Sequence, residues 1–167
     1  MSPIDPANLG RWFDAYGAGL VLYARQWLEA AQAEEVVQDA FVQMMSLGKA
    51  PRSEKAWLFT AVRNAAISRL RSWQRQRRHV EQLAGERGEW FAARADDVID
   101  AATAQEALAG LPGEQREVIV LRIWAGMTLQ ESANVTGQPM STLFSRYQAG
   151  LAELRKRMGS PCEKKMD

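Results

Sequence analysis

Thr128-Leu-Gln-Glu-Ser-Ala-Asn-Val-Thr136, Gly137-Gln-Pro139 and Met140-Ser-Thr-Leu-Phe-Ser-Arg-Tyr-Gln148 divide residues 128–148 into a short helix, a turn and a second helix. Thr128 stands three residues before Glu131, the spacing of a capping box, in which a hydroxyl at the helix start accepts from a backbone N–H one turn on. Gly137 enters the left-handed conformation of a helix end without steric penalty, and Pro139 cannot continue the helix. After the turn, Leu143, Tyr147, Leu151, Leu154 and Met158 recur at helical spacing and define a buried face. Met140, Ser141, Phe144, Ser145 and Gln148 then form an exposed strip opposite it, and Ala133 is small where the two helices must approach. The outline is a helix-turn-helix, whose second helix enters the major groove when the motif binds DNA; helical hairpins that bind no DNA share this outline.

Upstream of this motif, a short apolar pattern over 104–111 leads to Pro112, placed as a first-turn residue of a helix that carries Val118, Ile119, Leu121 and Trp124 up to Gly126. Three helices precede it. The first places Leu9, Trp12, Phe13, Tyr16, Leu20, Tyr23 and Trp27 at steps of three and four, a stripe expected to be buried. The second, from about Ala33 to Leu47, carries Val36, Val37, Ala40, Phe41, Met44 and Met45 and stops at Gly48 and Pro51. The third begins at Ser53 as N-cap and runs through Trp57, Leu58, Val62, Ala66 and Leu70 to Trp73. No strand-like alternation occurs, so the chain is expected to be all-α: a three-helix bundle over 1–80, a linker over 81–103, a helix-turn-helix domain over 104–160 and a tail over 161–167. Gly85, Gly88, Glu86, Glu89, Asp96, Asp97 and Asp100 make that linker acidic and predict that it is flexible.

The 167 residues, 47% apolar and 25% charged, fit a globular chain of one or two small domains. Cys162 is the one cysteine, which excludes an internal disulfide and a paired-cysteine metal site. No apolar run approaches the roughly 18 residues that span a bilayer, and the start MSPIDPANLGRWFDAY lacks a basic stretch followed by an apolar one. No membrane insertion and a cytoplasmic location are therefore expected. Catalysis has little material: His79 is the single histidine, no phosphate-loop, zinc-protease or serine-elbow motif occurs, and Glu34-Glu35 and Asp96-Asp97 are adjacent residues that diverge on a helix. Neither an enzyme, a cofactor nor a small-molecule substrate is expected.

The net charge of +1 conceals an uneven distribution. Residues 1–80 hold 11 basic and 7 acidic groups, residues 81–110 hold 2 and 7, and residues 111–167 hold 8 and 6. A polyanion would be drawn to both ends and repelled by the joint. The basic excess concentrates in Arg63, Arg69, Arg71, Arg75, Arg77 and Arg78, a stretch with no acid in it. Arginine meets phosphate and guanine edges with a planar fork of donors, and Asn64 adds an amide able to read a base. Trp73 offers a stacking surface, although as the end of the apolar stripe it is assigned to the core.

Taken in order, these segments resemble a bacterial RNA polymerase sigma factor of the sigma-70 superfamily, of the short extracytoplasmic-function (ECF) group that keeps regions 2 and 4. Ala33-Glu-Glu-Val-Val-Gln-Asp-Ala-Phe41 is similar to the core-binding segment of region 2. Ala56-Trp-Leu-Phe-Thr-Ala-Val-Arg-Asn64 with Ile67-Ser-Arg-Leu-Arg71 is similar to the helix that reads and opens the -10 element. Leu111-Pro-Gly-Glu-Gln-Arg-Glu-Val118, Leu121-Arg-Ile-Trp124 and Gly137-Gln-Pro-Met-Ser-Thr-Leu-Phe-Ser-Arg146 are similar to region 4 and its recognition helix, so the likeness spans roughly residues 8–158.

The resemblance implies a dissociable subunit that binds RNA polymerase core and directs promoter-specific initiation, with promoter DNA and an anti-sigma factor as further partners. It implies core-polymerase contacts by Glu35, Gln38 and Asp39, with Phe41 packed inside the bundle. It implies -10 contacts by Arg63, Asn64, Arg69, Arg71, Arg75, Arg77 and Arg78, with an unstacked base held by loop 46–55. It implies -35 contacts by Met140, Ser141, Thr142, Phe144, Ser145, Arg146 and Gln148, and a linker lying in the polymerase's basic channel. Four positions depart from the family pattern: Ser68 where Asp is usual, Ser132 and Thr136 where apolar residues are usual, and Phe144 where Lys or Arg is usual. The polar pair is expected to weaken packing of the first helix of the motif, and Phe144 to exchange a cationic contact for one with a thymine methyl. The competing reading is a stand-alone helix-turn-helix regulator with an N-terminal sensing or dimerisation bundle, which leaves the arginine stretch and the core-binding segment without a role.

Overall fold

A computed structural model of the chain describes residues 4–77 and 106–163; among them every regular element is helical. Arg78, His79 and the expected acidic linker over 81–103 lie outside the described residues. The chain divides into two compact units, Met1–Gly88 and Glu89–Asp167.

The first unit holds α1 (Pro6–Ala24), α2 (Ala30–Met45) and α3 (Glu54–Arg77). Each start has a local cause. The Asp5 side chain accepts from the Ala7 N–H at 3.0 Å with Pro6 at the first helical position, and the Ser53 hydroxyl oxygen accepts from the Ala56 N–H at 3.2 Å. The α2 helix begins three residues before its apolar pattern because Ala30 and Ala31 are strong helix formers. The three helices enclose Leu20, Tyr23, Val36, Met44, Leu58, Phe59 and Val62, with the Tyr23 ring edge-on to Trp27 at 5.1 Å and tilted against Phe59 at 5.5 Å.

Two sequence expectations need correction here. The α1 stripe is buried from Gly17 onward, but Phe13 is half exposed, with its ring edge-on to Phe41 at 5.3 Å at the margin of the bundle. Trp73 is not core. At 24 residues α3 outreaches its 19- and 16-residue partners, so its apolar period continues past Ala66 while the surface that could cover it runs out.

The second unit opens with a helical turn over 106–109, followed by α4 (Gly113–Ile119), a π-helical turn (Val120–Trp124), α5 (Leu129–Thr136) and α6 (Met140–Glu163). Pro112 is extended and caps α4 from outside instead of standing inside its first turn. Its core is Leu108, Val118, Ile119, Leu121, Met127, Val135 and Leu143. In the π turn the Ala125 N–H reaches back five residues to the Val120 carbonyl at 3.1 Å. The extra residue in that turn rotates Ile123 and Trp124 to the surface, where regular α periodicity assigns Trp124 to the apolar face.

The turn of the helix-turn-helix follows its sequence signals. Thr128 Oγ1 accepts from the Glu131 N–H at 3.1 Å, and Gly137 has φ of 71°, with its N–H on the Ala133 carbonyl at 2.9 Å. Ser132 and Thr136 are buried, as the family's apolar residues would be, but their hydroxyls do not go unsatisfied. Ser132 donates to the Thr128 carbonyl and Thr136 to the Ser132 carbonyl, both at 2.9 Å. The expected weakening is thus limited to lost aliphatic contact, without the added cost of an orphaned polar group.

Candidate polymerase and promoter interface

Glu35, Gln38 and Asp39 lie on one exposed face of α2, one turn apart, while Phe41 is buried behind them. The carboxylates of Glu35 and Asp39 are both engaged by Arg69 of α3: Nη1 stands 3.2 Å from Glu35 Oε2 and Nη2 stands 3.2 Å from Asp39 Oδ2. Arg69 is therefore turned toward α2 and away from the other arginines. Arg63, Asn64, Ile67, Ser68, Arg71 and Arg75 line a separate shallow depression of about 280 Å³. The division follows from the helix itself, since 63, 67, 71 and 75 recur at steps of four while Arg69 continues the edge set by Val62 and Ala66. Ser68 lies on the arginine face, at the position where the resemblance leads one to expect an acid. Arg77 closes α3; its side chain and all of Arg78 are outside the described residues.

A second depression, of about 450 Å³, separates α1 from α2 and is lined by Phe13, Asp14, Gly17, Ala18, Val21, Glu34, Val37 and Gln38. Sequence reasoning missed it because it took Phe13 as core. Elsewhere on α1, burial first and the Glu54 carboxylate second push the Tyr16 phenol above its ordinary range.

On α6 the strip expected to face outward does so: Met140, Ser141, Phe144, Ser145 and Gln148 are exposed, and Thr142 is half-buried at its edge. Ser145 Oγ donates to the Ser141 carbonyl at 3.1 Å. Arg146 is half-buried and its Nη2 stands 3.5 Å from Glu114 Oε2 of α4, a pairing with no sequence signal. Arg122 fixes the π turn to the same helix, donating from Nη1 to the Met127 carbonyl at 2.6 Å with its guanidinium 5.3 Å from the Tyr147 ring centre. Among the described residues no helix is long and apolar enough to cross a membrane, and no group of three metal-ligating side chains converges.

Residues 12–77 match the family described as Sigma-70 region 2, and residues 102–154 match Sigma-70, region 4. The ECF RNA polymerase sigma factor SigL of Mycobacterium tuberculosis is 32% identical, aligned over 90% of this chain and 89% of its own length. The chain belongs to the ECF sigma factors. This sigma factor is similar also to RpoE of Cereibacter sphaeroides, 34% identical over 77% of this chain and 74% of that one. Among solved structures it shares its fold with RpoE of Bartonella quintana, crystallised with the anti-sigma factor NepR, at a TM-score of 0.66 and 21% identity over 93% of this chain and 98% of that one. CnrH in complex with the cytosolic domain of CnrY has a TM-score of 0.64 at 23% identity, over 93% of this chain and 90% of that one. The region 2 match takes in the N-terminal bundle and the arginine helix together, and with it the stand-alone regulator loses its ground. The sigma factor directs promoter-specific transcription initiation by RNA polymerase.

Proposed function

We propose that the sigma factor distributes initiation among three helices. Glu35, Gln38 and Asp39 of α2 dock on polymerase core. Arg63, Asn64, Arg71 and Arg75 of α3, continued by Arg77 and Arg78, hold the opened -10 strand, while Arg69 braces α3 against the docking face. Met140, Ser141, Thr142, Phe144, Ser145 and Gln148 of α6 read the -35 duplex, with Arg146 at their flank. The chain itself makes and breaks no bond, works in the cytoplasm beside the polymerase, and is held inactive by an anti-sigma factor, as the complex of RpoE with NepR illustrates for a protein of the same fold.

The observation that carries this reading is the separation of charge on the first unit: paired carboxylates on α2, and on one face of α3 Arg63, Arg71 and Arg75 with Ser68 among them. Opposed charge signs on two faces suit two partners, a protein surface and a phosphate backbone. Run-off transcription with polymerase core tests it, using promoter fragments that include the one upstream of the protein's own gene. Core alone is expected to give no specific transcript and core with this chain a discrete one, reduced at least tenfold by joint Arg71→Ala and Arg75→Ala substitution. Undiminished transcription by that double variant refutes the role given to α3.

A further inference from the structure

We infer that the recognition helix specifies its -35 element by contact with thymine C5-methyl groups, made by Met140 and Phe144, and not by a cation on guanine. The inference rests on the reading of α6 as the -35 helix and adds the chemical group it selects.

Met140 opens α6 and Phe144 follows one turn later on the same face, 43% and 48% exposed. The helix has an apolar side already: Leu143, Gly150 and Leu154 are buried against the second unit's core. Met140 and Phe144 are therefore not surplus core residues pushed outward, since they belong to the opposite strip together with Ser141, Ser145 and Gln148. At 1.5 Å per residue the two side chains stand about 6 Å apart along the axis, close to two base-pair steps of about 3.4 Å.

The polar groups on this surface leave guanine without its usual partner. Arg146 is the one basic residue between Thr128 and Leu154, and it is half-buried against Glu114 at the edge of the strip. Guanine O6 and N7 are acceptors best met by Arg or Lys. Ser145 gives its hydroxyl proton to the Ser141 carbonyl, which leaves its lone pairs facing out, able to accept but not to donate. An acceptor matches the amino groups of adenine and cytosine and is repelled by guanine. Gln148, another turn along, carries the amide that pairs with adenine N6 and N7. Among the groups that base pairs present in the major groove, the thymine methyl is the apolar one. An exposed thioether and phenyl ring have that group to bury against, and their desolvation is the gain. The expected element therefore places thymines beneath Met140 and Phe144 and an adenine beneath Gln148.

The test uses holoenzyme assembled from polymerase core and the full chain, with a -35 element obtained by selection from randomised duplexes. Each thymine is then replaced singly by deoxyuridine, which removes the methyl and keeps every hydrogen-bonding group. One or two replacements, two base-pair steps apart, are expected to weaken binding about fourfold each. Phe144→Ala is expected to abolish the loss at one of these positions and Met140→Ala at the other. Phe144→Arg is expected to abolish methyl sensitivity at its own position and shift the base selected there toward guanine, leaving the sensitivity under Met140. Both side chains are half exposed, so these variants retain the fold. If holoenzyme protects the -35 duplex but is indifferent to every deoxyuridine, methyl readout is wrong while the assignment of α6 stands. If no -35 protection is seen with wild type or variants, the assignment of α6 falls and this inference with it.

Discussion

Asp39 stands on the proposed docking face and in an ion pair at once. One of its oxygens accepts from Arg69 at 3.2 Å, a pair that is about half exposed and so screened by water and salt. Exposed pairs of this kind are worth about 1 kcal/mol or less. Arg69→Ala removes this pair and the one to Glu35 and is accordingly expected to lower stability by no more than about 2 kcal/mol in urea unfolding; a larger loss would make the bridges part of the structural frame. Asp39→Arg sets a second cation beside Arg69 and removes the docking charge; weakened core binding with helicity retained is the expected result, measured by competition for core and circular dichroism. Undiminished binding would place the docking face elsewhere. Thr136 is a second side chain with two tasks, since its hydroxyl donates to the Ser132 carbonyl and accepts from the Gln138 N–H at 3.3 Å in the turn. Thr136→Val restores the family's apolar character but removes both bonds, and a net loss of about 1 kcal/mol is expected from denaturant midpoints. A gain in stability would show that burial outweighs those bonds.

At the scale of elements, α6 lies close against α4 at Gly150. A Cβ added there would lie 2.5 Å from Ile119 Cδ1 and 3.4 Å from Gln115 Cβ. Gly150→Ala is therefore expected to cost about 1–3 kcal/mol. Combining it with Ile119→Val, which deletes the obstructing Cδ1, is expected to recover part of that loss; strict additivity of the two changes would mean that the clash is relieved elsewhere. This contact could not be read from the sequence, because it depends on which turns of two helices meet. Helix starts and stops could: Asp5, Ser53, Thr128 and Gly137 act through local hydrogen bonds and local φ, which a short stretch of chain determines. Periodicity likewise gave the buried face of α2 except for Met45, which is 61% exposed, and in α6 the exposed strip and the burial of Leu143 and Leu154, with Tyr147 and Leu151 half-buried and the Met158 side chain outside the described residues. It failed where an element outlasts its partner, as α3 does beyond Ala66, and where the period itself changes, as in the π turn that exposes Trp124. The candidate site was legible as residue types but not as pairings. Arg69 and Arg146 were grouped with DNA-facing residues, whereas each is turned to a carboxylate that is distant in sequence.

For the whole molecule, each unit encloses its own apolar core, Tyr23, Met44 and Phe59 in one and Ile119, Leu121 and Leu143 in the other, so the connection between them is not needed to complete either. Its composition must then answer to something other than packing. Residues 81–110 carry 7 acidic and 2 basic groups between two blocks with a basic excess, and five of the acids are Glu86, Glu89, Asp96, Asp97 and Asp100. Such a segment is repelled by the DNA that both flanking units attract, but is favoured in a positively charged protein channel that otherwise receives nucleic acid. Replacing those five acids with their amides is expected to leave the unfolding of both units unchanged, because the described cores are built from apolar side chains. Core binding and duplex binding should persist too. Initiation in run-off assays is expected to fall, and the deficit should widen at low salt, where unscreened attraction to the channel contributes most. Normal initiation by the neutralised protein at every salt concentration would reduce the linker to a tether whose acidity serves solubility alone.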